Sequence, residues 1–350
     1  MSERLAVVLF NLGGPDRPES VQPFLFNLFN DPAIINLPQP LRWAIAKLIS
    51  TRRAPVAQKI YEELGGGSPL LANTEAQAGA LQEAVSANGN GAAELRCFIA
   101  MRYWHPLTEQ TVAEVQTWKP DRILLLPLYP QYSTTTTESS IRAWRQAAAK
   151  AGLSVPTATV CCYPVLDGFV AASAGLLRQT LHSMEDGMRP RVLFSAHGLP
   201  QKVIDRGDPY QYQVEQTAAA IVAALPEEDI DWTVCYQSRV GPLAWIKPYT
   251  EDEIQRAGKD GVPLIVMPIA FVSEHSETLV ELDIEYRELA KEAGVPGYER
   301  VPTVSSDPVF IGGLAKLIDE MGRSADDIRT AGGARICPAD RQCCGYTRLG

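Results

Sequence analysis

Residues 191–200 read RVLFSAHGLP, an apolar run that leads into a histidine followed by glycine and proline. A similar stretch, VVLFNLGGP, occupies residues 7–15. A short apolar run closed by Gly and Pro predicts a buried strand that ends in a sharp turn. Because the two stretches share this pattern, we expect two similar halves that each open with the same strand and turn.

Further apolar runs and helical patterns alternate along the chain. The predicted strands are 5–10, 95–100, 122–128, 191–196, 232–236 and 262–267, and helical periodicity marks 72–87, 108–118 and 211–225. Strands that alternate with helices predict parallel sheets with helices on both faces. The expected fold class is therefore α/β, with two similar lobes, each a parallel sheet flanked by helices, and a ligand cleft between them.

Composition narrows the class of protein. The chain has 350 residues, of which 46% are hydrophobic and 21% charged, as is usual for a globular protein. This length favours two compact lobes over one. The net charge of −9 argues against a nucleic-acid partner, which would normally select a basic surface.

Membrane insertion is not expected. No apolar run approaches the roughly 18 to 20 residues of a membrane span, and the first residues are interpreted as a strand and not as a signal peptide. We therefore expect a cytoplasmic protein. The apolar segment 37–49, LPQPLRWAIAKLI, leaves two interpretations open, a buried helix or peripheral contact with a membrane surface.

Polar loops follow the predicted strands at the edge where open α/β sheets bind ligands. His197 comes directly after its strand, where it could take up protons near neutral pH. The stretch SEHSET opens a helix that brings His275, Glu277 and Glu281 to the same edge. These groups could carry protons or contact a divalent metal. Three later carboxylates of this helix are interpreted as a solvated face: Glu285, Glu288 and Glu292.

Aromatic and cationic side chains in the same loops suit a large, flat ligand with carboxylate edges. The aromatic set is Tyr103, Trp104, Tyr129, Tyr132, Trp245 and Tyr249, and the cationic set is Arg53, Arg102 and Arg239. The glycine stretch GGGSP at 65–69 lacks the lysine of a phosphate-binding P-loop, so a nucleotide is not the expected ligand.

Seven motifs together resemble the ferrochelatase family. In chain order they are LFNLGGPD, GGGSP, MRYWHPLTE, YPQYS, SAHGLP, YQSRVGPLAWIKPYTED and FVSEHSETLVELDIEYRELA. The resemblance implies two Rossmann-like lobes, the chelatase fold, and insertion of Fe2+ into protoporphyrin IX to form protohaem with release of two protons. We expect the lobes at 1–165 and 166–325 and a cysteine-bearing segment at 326–350.

The same resemblance assigns roles to individual residues. It places His197 and Glu277 on opposite sides of the porphyrin centre, where they would contact the substrate iron. It also implies a path of polar side chains at this site, which His275 and Glu281 extend. The positions that match substrate-binding residues are Leu12, Arg53, Ser68, Arg102, Tyr103, Ser238 and Trp245. A coproporphyrin chelatase, a cobalt chelatase and a non-catalytic porphyrin or haem carrier stay open as alternatives. The oligomeric state is not predicted.

Three of the seven cysteines, Cys337, Cys343 and Cys344, lie within the last fourteen residues. An odd number of cysteines in a chain of this length does not indicate a disulfide framework. Some members of the family carry a 2Fe-2S cluster near the C-terminus, so the resemblance implies that these thiols bind one. Zinc is the alternative, although this spacing is unusual for it.

Such a cluster needs a fourth ligand, usually another thiolate. Relatives that take it from the YPQYS loop have a cysteine where this chain has Thr134. The remaining candidates are Cys161 or Cys162, whereas Cys97 and Cys235 are expected to be small core residues inside strands.

Overall fold

The computed structural model describes residues 3–87, 93–184, 189–226, 229–322 and 328–348. The strands are β1 (Glu3–Asn11), β2 (Ala93–Met101), β3 (Arg122–Pro127), β4 (Thr157–Val160), β5 (Arg191–His197), β6 (Trp232–Gln237), β7 (Leu264–Pro268), β8 (Tyr298–Arg300) and β9 (Ile328–Arg329). The α-helices are α1 (Val21–Phe29), α2 (Leu41–Glu62), α3 (Leu70–Ala87), α4 (Thr108–Trp118), α5 (Thr137–Ala151), α6 (Asp167–Ser183), α7 (Gln201–Asp205), α8 (Tyr210–Ala223), α9 (Thr250–Asp260), α10 (Tyr286–Glu292), α11 (Pro308–Gly322) and α12 (Gly345–Arg348). A 3-10 helix, Pro18–Ser20, precedes α1, and a π-helix, Glu277–Glu285, precedes α10.

The described strands form two parallel sheets. The first has the order β2-β1-β3-β4-β9 and the second the order β6-β5-β7-β8. The two similar stretches of the sequence are β1 and β5, and each lies between the next two strands of its own lobe. The predicted α/β architecture, with two parallel sheets flanked by helices, is confirmed.

Burial of both sheet faces follows from the apolar strands. Successive side chains of a strand point to opposite faces. In β1, Leu5, Val7 and Leu9 pack into the cluster that contains α3, α6 and α11, whereas Ala6, Val8 and Phe10 face α4 and α5. This is why the strand reads as a continuous apolar run and not as an alternating one.

Three short strands were not expected from the sequence. β4 has four residues, β8 three and β9 two. Strands this short offer no periodicity to recognise, and Tyr298-Glu299-Arg300 in β8 is polar. β9 pairs with β4, and α11 packs against α3 and α6, so the chain returns to the first sheet after β8. The lobe boundaries at 165 and 325 stay a prediction.

The apolar segment near residue 40 forms part of α2, and much of it is exposed. Leu41, Trp43 and Leu48 keep 53%, 51% and 50% of their surface accessible. The interpretation as an ordinary buried helix is therefore wrong for these side chains. Within the described ranges, no helix is both long and apolar enough to span a membrane.

Candidate active site

His197 and Glu277 form the centre of the site. His197 is the last residue of β5 and Glu277 the first of the π-helix, and His197 Nδ1 lies 2.8 Å from Glu277 Oε2. The imidazole is 37% exposed and the carboxylate 26% exposed. The two residues that sequence reasoning placed at one sheet edge are therefore hydrogen-bonded to each other, and both reach solvent. They do not face each other across the porphyrin centre in this structure, as the family resemblance implied, because no ring fits between atoms 2.8 Å apart.

This contact changes the pKa of both groups. Burial by itself lowers the pKa of His197, but the charge and the hydrogen bond of Glu277 outweigh it and raise that pKa above its usual value of 6.5. Burial by itself raises the pKa of Glu277, but His197 lowers it to about 2. Near pH 6 the pair is therefore an imidazolium and a carboxylate.

Glu281 lies one turn further along the π-helix and accepts four hydrogen bonds. Ser238 donates from its backbone nitrogen (2.8 Å) and its hydroxyl (2.5 Å), Gln237 from its amide (3.0 Å) and Tyr286 from its hydroxyl (3.1 Å). Ser238 has a φ of 62°, in the left-handed region that residues other than glycine seldom adopt. Glu281 thus holds the start of the loop that follows β6.

His275 is buried beside the central pair. Its Nε2 lies 3.9 Å from Glu277 Oε2, and its ring packs against Phe271. Burial lowers the pKa of His275, so the ring is neutral at pH 7. Its Nδ1 is buried and has no hydrogen-bond partner among the described residues. His275 and His197 therefore both lie next to the same oxygen of Glu277.

The first lobe reaches this site through α2 and α3. Tyr61 hydrogen-bonds Ser276 and lies near the charge of Glu277. Asn73 donates to the carbonyl of Glu274 at 2.9 Å, and Gln77 donates to the carbonyl of Val272 at 2.9 Å. Sequence reasoning missed these residues. Tyr61 could have been noticed because it lies just before the glycine stretch 65–67, but Asn73 and Gln77 fall inside an ordinary helical pattern.

The turn after His197 is shaped by close packing. A Cβ at Gly198 would lie 3.0 Å from the Gln237 carbonyl oxygen and 3.1 Å from the Trp245 ring. The Trp245 indole donates to the Val240 carbonyl, and the Tyr210 hydroxyl donates to the His197 carbonyl at 3.0 Å. A side chain at position 198 would therefore press on the Gln237 carbonyl and on the Trp245 ring.

Arg102 and Tyr103 meet at Asp31, a residue that sequence reasoning missed. Both donate to Asp31 Oδ2, at 2.6 and 2.8 Å, and Ser139 donates to the same oxygen at 2.7 Å. Tyr103 is only 1% exposed. In this structure the two residues hold the loop after β2 in place, and their direct contact with substrate stays a prediction.

The other predicted residues of the first lobe lie in several different elements. The carbonyl of Leu12 accepts from Tyr103, and the backbone nitrogen of Ser68 donates to the Pro15 carbonyl. Arg53 is exposed on α2, with its guanidinium 5.8 Å from the Phe29 ring. Tyr132 is fully buried and donates to Glu138, so its prediction as a cleft wall is wrong.

Two cysteines of the C-terminal segment, Cys337 and Cys344, lie beside Cys161 and Cys162. The Gln213 amide nitrogen lies 3.1 Å from Cys337 Sγ and 3.4 Å from Cys162 Sγ. A hydrogen bond with Cys161, together with burial, raises the pKa of Cys162, and a hydrogen bond with Cys337 lowers the pKa of Cys344 to about 6. Cys161, Cys162, Cys337 and Cys344, which are far apart in sequence, therefore lie close together beside α8.

Cys343 is apart from these four thiols. Its Sγ lies 3.3 Å from the Arg206 carbonyl oxygen and 3.1 Å from an Arg348 nitrogen. All seven cysteines are free. As they stand, no three His, Cys, Asp or Glu side chains of the described residues could hold a metal ion together.

Comparison with known proteins identifies the family of the chain. A family model described as Ferrochelatase matches residues 4–321. The chain is 54% identical over 345 residues to Ferrochelatase from Caulobacter vibrioides, covering 98% of each chain, and 56% identical over 337 residues to Ferrochelatase from Phenylobacterium zucineum, covering 96% of each. Among solved structures, SirB from Bacillus subtilis with Fe3+ aligns with a TM-score of 0.53 over 91% of this chain and 96% of that chain. Its identity is 13%, so this likeness concerns the fold alone. Matches of this length and identity in sequence show that the chain belongs to the ferrochelatase family.

Proposed function

We propose that the protein inserts Fe2+ into protoporphyrin IX, forming protohaem and releasing two protons. The observation that carries the proposal is the His197–Glu277 pair at the carboxyl end of β5, with its nitrogen and oxygen 2.8 Å apart. A porphyrin holds two N–H protons at its centre, and both must leave when the metal enters. A base positioned at that centre performs this step.

The hydrogen bond determines which nitrogen of His197 acts as the base. When Nδ1–H donates to Glu277, the other ring nitrogen, Nε2, carries the lone pair that can accept a proton. The resulting imidazolium stays paired with the Glu277 carboxylate, which stabilises it. An imidazole oriented by a carboxylate is a common arrangement for a general base. We assign contact with the substrate iron to the same two side chains.

The remaining residues position these groups or line the cleft. His275 is neutral and adjoins Glu277, which supports a place on the polar path. Glu281 has its acceptor sites filled by donors from Ser238, Gln237 and Tyr286, which supports a positioning role rather than metal contact. We assign Leu12, Arg53, Ser68, Arg102, Tyr103, Ser238 and Trp245 to binding of the porphyrin.

One assay separates the proposal from its alternatives. The purified protein is mixed anaerobically with Fe2+ or Co2+ and with protoporphyrin or coproporphyrin, and product is followed by its visible absorbance. Fastest turnover with Fe2+ and protoporphyrin is expected. Preference for coproporphyrin or for Co2+ would indicate the corresponding chelatase, and binding of porphyrin without insertion would indicate a carrier.

We also propose that the thiols of the C-terminal segment hold a 2Fe-2S cluster. Thiolates are the ligands that such clusters prefer, and the gathering of Cys337 and Cys344 beside Cys161 and Cys162 supports the proposal. Cys337, Cys343, Cys344 and either Cys161 or Cys162 would be the ligands. Cys343 would have to turn away from the Arg206 carbonyl to join them. When bound, the cluster would cross-link this segment to the end of β4 and could exchange one electron.

For location, we propose a cytoplasmic protein that contacts a membrane surface through α2. The exposed side chains Leu41, Trp43 and Leu48 near the start of α2 support this, because exposed apolar residues that include a tryptophan suit the interface between lipid and water. Binding of the protein to lipid vesicles, compared with a Trp43→Ser variant, tests this part separately from the catalytic proposal.

A further inference from the structure

Glu277 belongs to an unusual helix. Residues Glu277–Glu285 form a π-helix, whose hydrogen bonds join residues five apart and which is rare in proteins. Such turns are frequent at functional sites. Because Glu277 is the first residue of this helix, the position of its carboxylate on His197 depends on what keeps the helix in place.

Arg300, the last residue of β8, contacts both ends of this segment. Its Nη1 donates to Glu274 Oε1 at 2.9 Å, and its Nε donates to Asp283 Oδ1 at 2.7 Å. Glu274 lies three residues before Glu277, and Asp283 lies six residues after it. The Arg300 side chain is only 10% exposed, so these ion pairs are largely shielded from water.

A second residue of β8 supports the same helix. The Tyr298 hydroxyl donates to the Leu282 carbonyl at 2.7 Å. Tyr298 and Arg300 are two residues apart, so their side chains leave the strand on the same face. The polar Tyr-x-Arg pattern of this short strand therefore provides two contacts to one helix.

The guanidinium group suits this task better than an ammonium group would. Its planar fork offers several N–H donors in fixed directions, so one side chain can bind two carboxylates at once. A lysine is a single point charge on a flexible stem and cannot reproduce both contacts. Arg300 thus joins a residue before the π-helix to a residue within it.

We propose that Arg300 is a positioning residue for the reaction, which fixes the segment 274–283 and thereby holds the Glu277 carboxylate on His197. The inference rests on the proposed role of that pair. A misplacement of about 1 Å at a reacting group can lower a rate about 100-fold, so loss of this support would act on turnover without any contact between Arg300 and the porphyrin.

The test compares Arg300→Lys with Arg191→Lys. Arg191 also bridges two acids, Asp231 at 2.8 Å and Asp260 at 2.9 Å, and its side chain is also 10% exposed. It lies at the amino end of β5, at the opposite edge of the same sheet. The control therefore removes a two-acid bridge made by an equally buried arginine away from the site, although its partners Asp231 and Asp260 are more exposed than Glu274 and Asp283.

Two readouts are needed, one of which does not depend on iron insertion. The downfield proton NMR signal of His197 Nδ1–H reports its hydrogen bond to Glu277, and it is assigned by its absence in His197→Gln. In Arg300→Lys we expect this signal to be lost or shifted upfield and kcat to fall about 10- to 100-fold, with the Kd for protoporphyrin unchanged. Arg191→Lys should lower thermal stability and leave the signal and kcat as in the wild type.

An unchanged signal and kcat in Arg300→Lys would overturn the inference, and so would equal losses in Arg191→Lys. If Arg300→Lys does not fold, Asp283→Ala removes one of the two contacts at a site that is 28% exposed. A weakened signal and several-fold lower kcat then support the inference, and wild-type values contradict it. If the wild type inserted no iron at all, the proposed function would fail while the NMR comparison still decided the role of Arg300.

Discussion

Glu281 accepts two hydrogen bonds from Ser238, one from its backbone nitrogen at 2.8 Å and one from its hydroxyl at 2.5 Å. With the donors from Gln237 and Tyr286, all of the roughly four lone-pair sites of the carboxylate are in use. Glu281 could bind a metal ion only by giving up one of these bonds. Glu281 therefore stabilises the position of Ser238 and of the loop after β6, which contains Trp245.

We expect Glu281→Gln to lower the free energy of unfolding by about 2 kcal/mol, because an amide offers one acceptor oxygen where the carboxylate offers two. The loosened loop should raise the Kd for porphyrin more than it lowers kcat. Glu288→Gln is the control, since Glu288 is exposed on α10 and should change stability by less than about 0.5 kcal/mol. A stable Glu281→Gln variant that binds porphyrin normally but inserts no iron would instead place Glu281 in the chemistry.

Gly198 should not tolerate a side chain. In Gly198→Ala the added Cβ would press on the Gln237 carbonyl and the Trp245 ring at 3.0 and 3.1 Å, so we expect a loss of about 1 to 3 kcal/mol in stability and a larger loss of turnover. Gly175→Ala in α6 is the matched control, because its Cβ would meet nothing within 4 Å, and it should be neutral or slightly stabilising. Thermal unfolding and the insertion assay measure both effects. Equal behaviour of the two variants would contradict this view of the turn.

The His197–Glu277 pair predicts how activity depends on pH. A base must be neutral to accept a proton, so turnover should rise with pH through the raised pKa of His197. Glu277→Gln removes the charge that raises this pKa, so the rise should move to lower pH while the maximal rate falls. A pH profile that does not move would show that Glu277 does not determine the protonation of His197.

The same pair contributes to stability over a limited pH range. The folded pKa of His197 is raised, so its contribution is complete below pH 6.5 and is lost as pH rises through the folded value. The folded pKa of Glu277 is lowered to about 2, so its contribution is present above pH 4.5 and is lost as pH falls toward 2. The destabilisation caused by Glu277→Gln should therefore be greatest between about pH 4.5 and 6.5, as measured by denaturant unfolding at several pH values.

The proposed 2Fe-2S cluster predicts that the protein is coloured. A protein purified from iron-replete cells should be red-brown, with about two irons and two acid-labile sulfides per chain. Replacement of Cys337, Cys343 or Cys344 by Ser should bleach it, and so should replacement of only one of Cys161 and Cys162. Cys235→Ser is the control, because Cys235 is buried in β6 and packs in a different core cluster from Cys161 and Cys162. A colourless wild type that contains zinc would contradict the cluster.

Much of the fold could be predicted because the apolar runs are continuous. All six predicted strands coincide with strands of the two sheets, and the helix predicted at 108–118 matches α4 in both bounds. These elements form the cores of both lobes, where hydrophobicity decides the structure. The position of His197 and Glu277 at one sheet edge was also accessible, since both residues follow strands of the second sheet, but their direct hydrogen bond was not.

The features that could not be predicted depend on contacts between residues far apart in sequence. The sequence predicts a helix that carries Glu277 and Glu281, but nothing in it distinguishes the π-helix that the structure shows. The partners of this helix come from β8 and from the loop after β6, which no local pattern records. Arg300 was overlooked since it stands in a strand of three residues. Asp31 was missed for a similar reason, because its partners Arg102 and Ser139 are 71 and 108 residues away.

The most direct test of the catalytic account is iron insertion by His197→Ala beside a measurement of its porphyrin affinity. The account predicts that insertion of Fe2+ into protoporphyrin IX is lost while the Kd for the porphyrin stays within about 3-fold of the wild type, since the imidazole acts as the base and other residues supply most of the binding. His182→Ala, in which an exposed histidine of α6 is removed, should insert iron at the wild-type rate. Wild-type turnover by His197→Ala would remove this histidine from the mechanism and contradict the account.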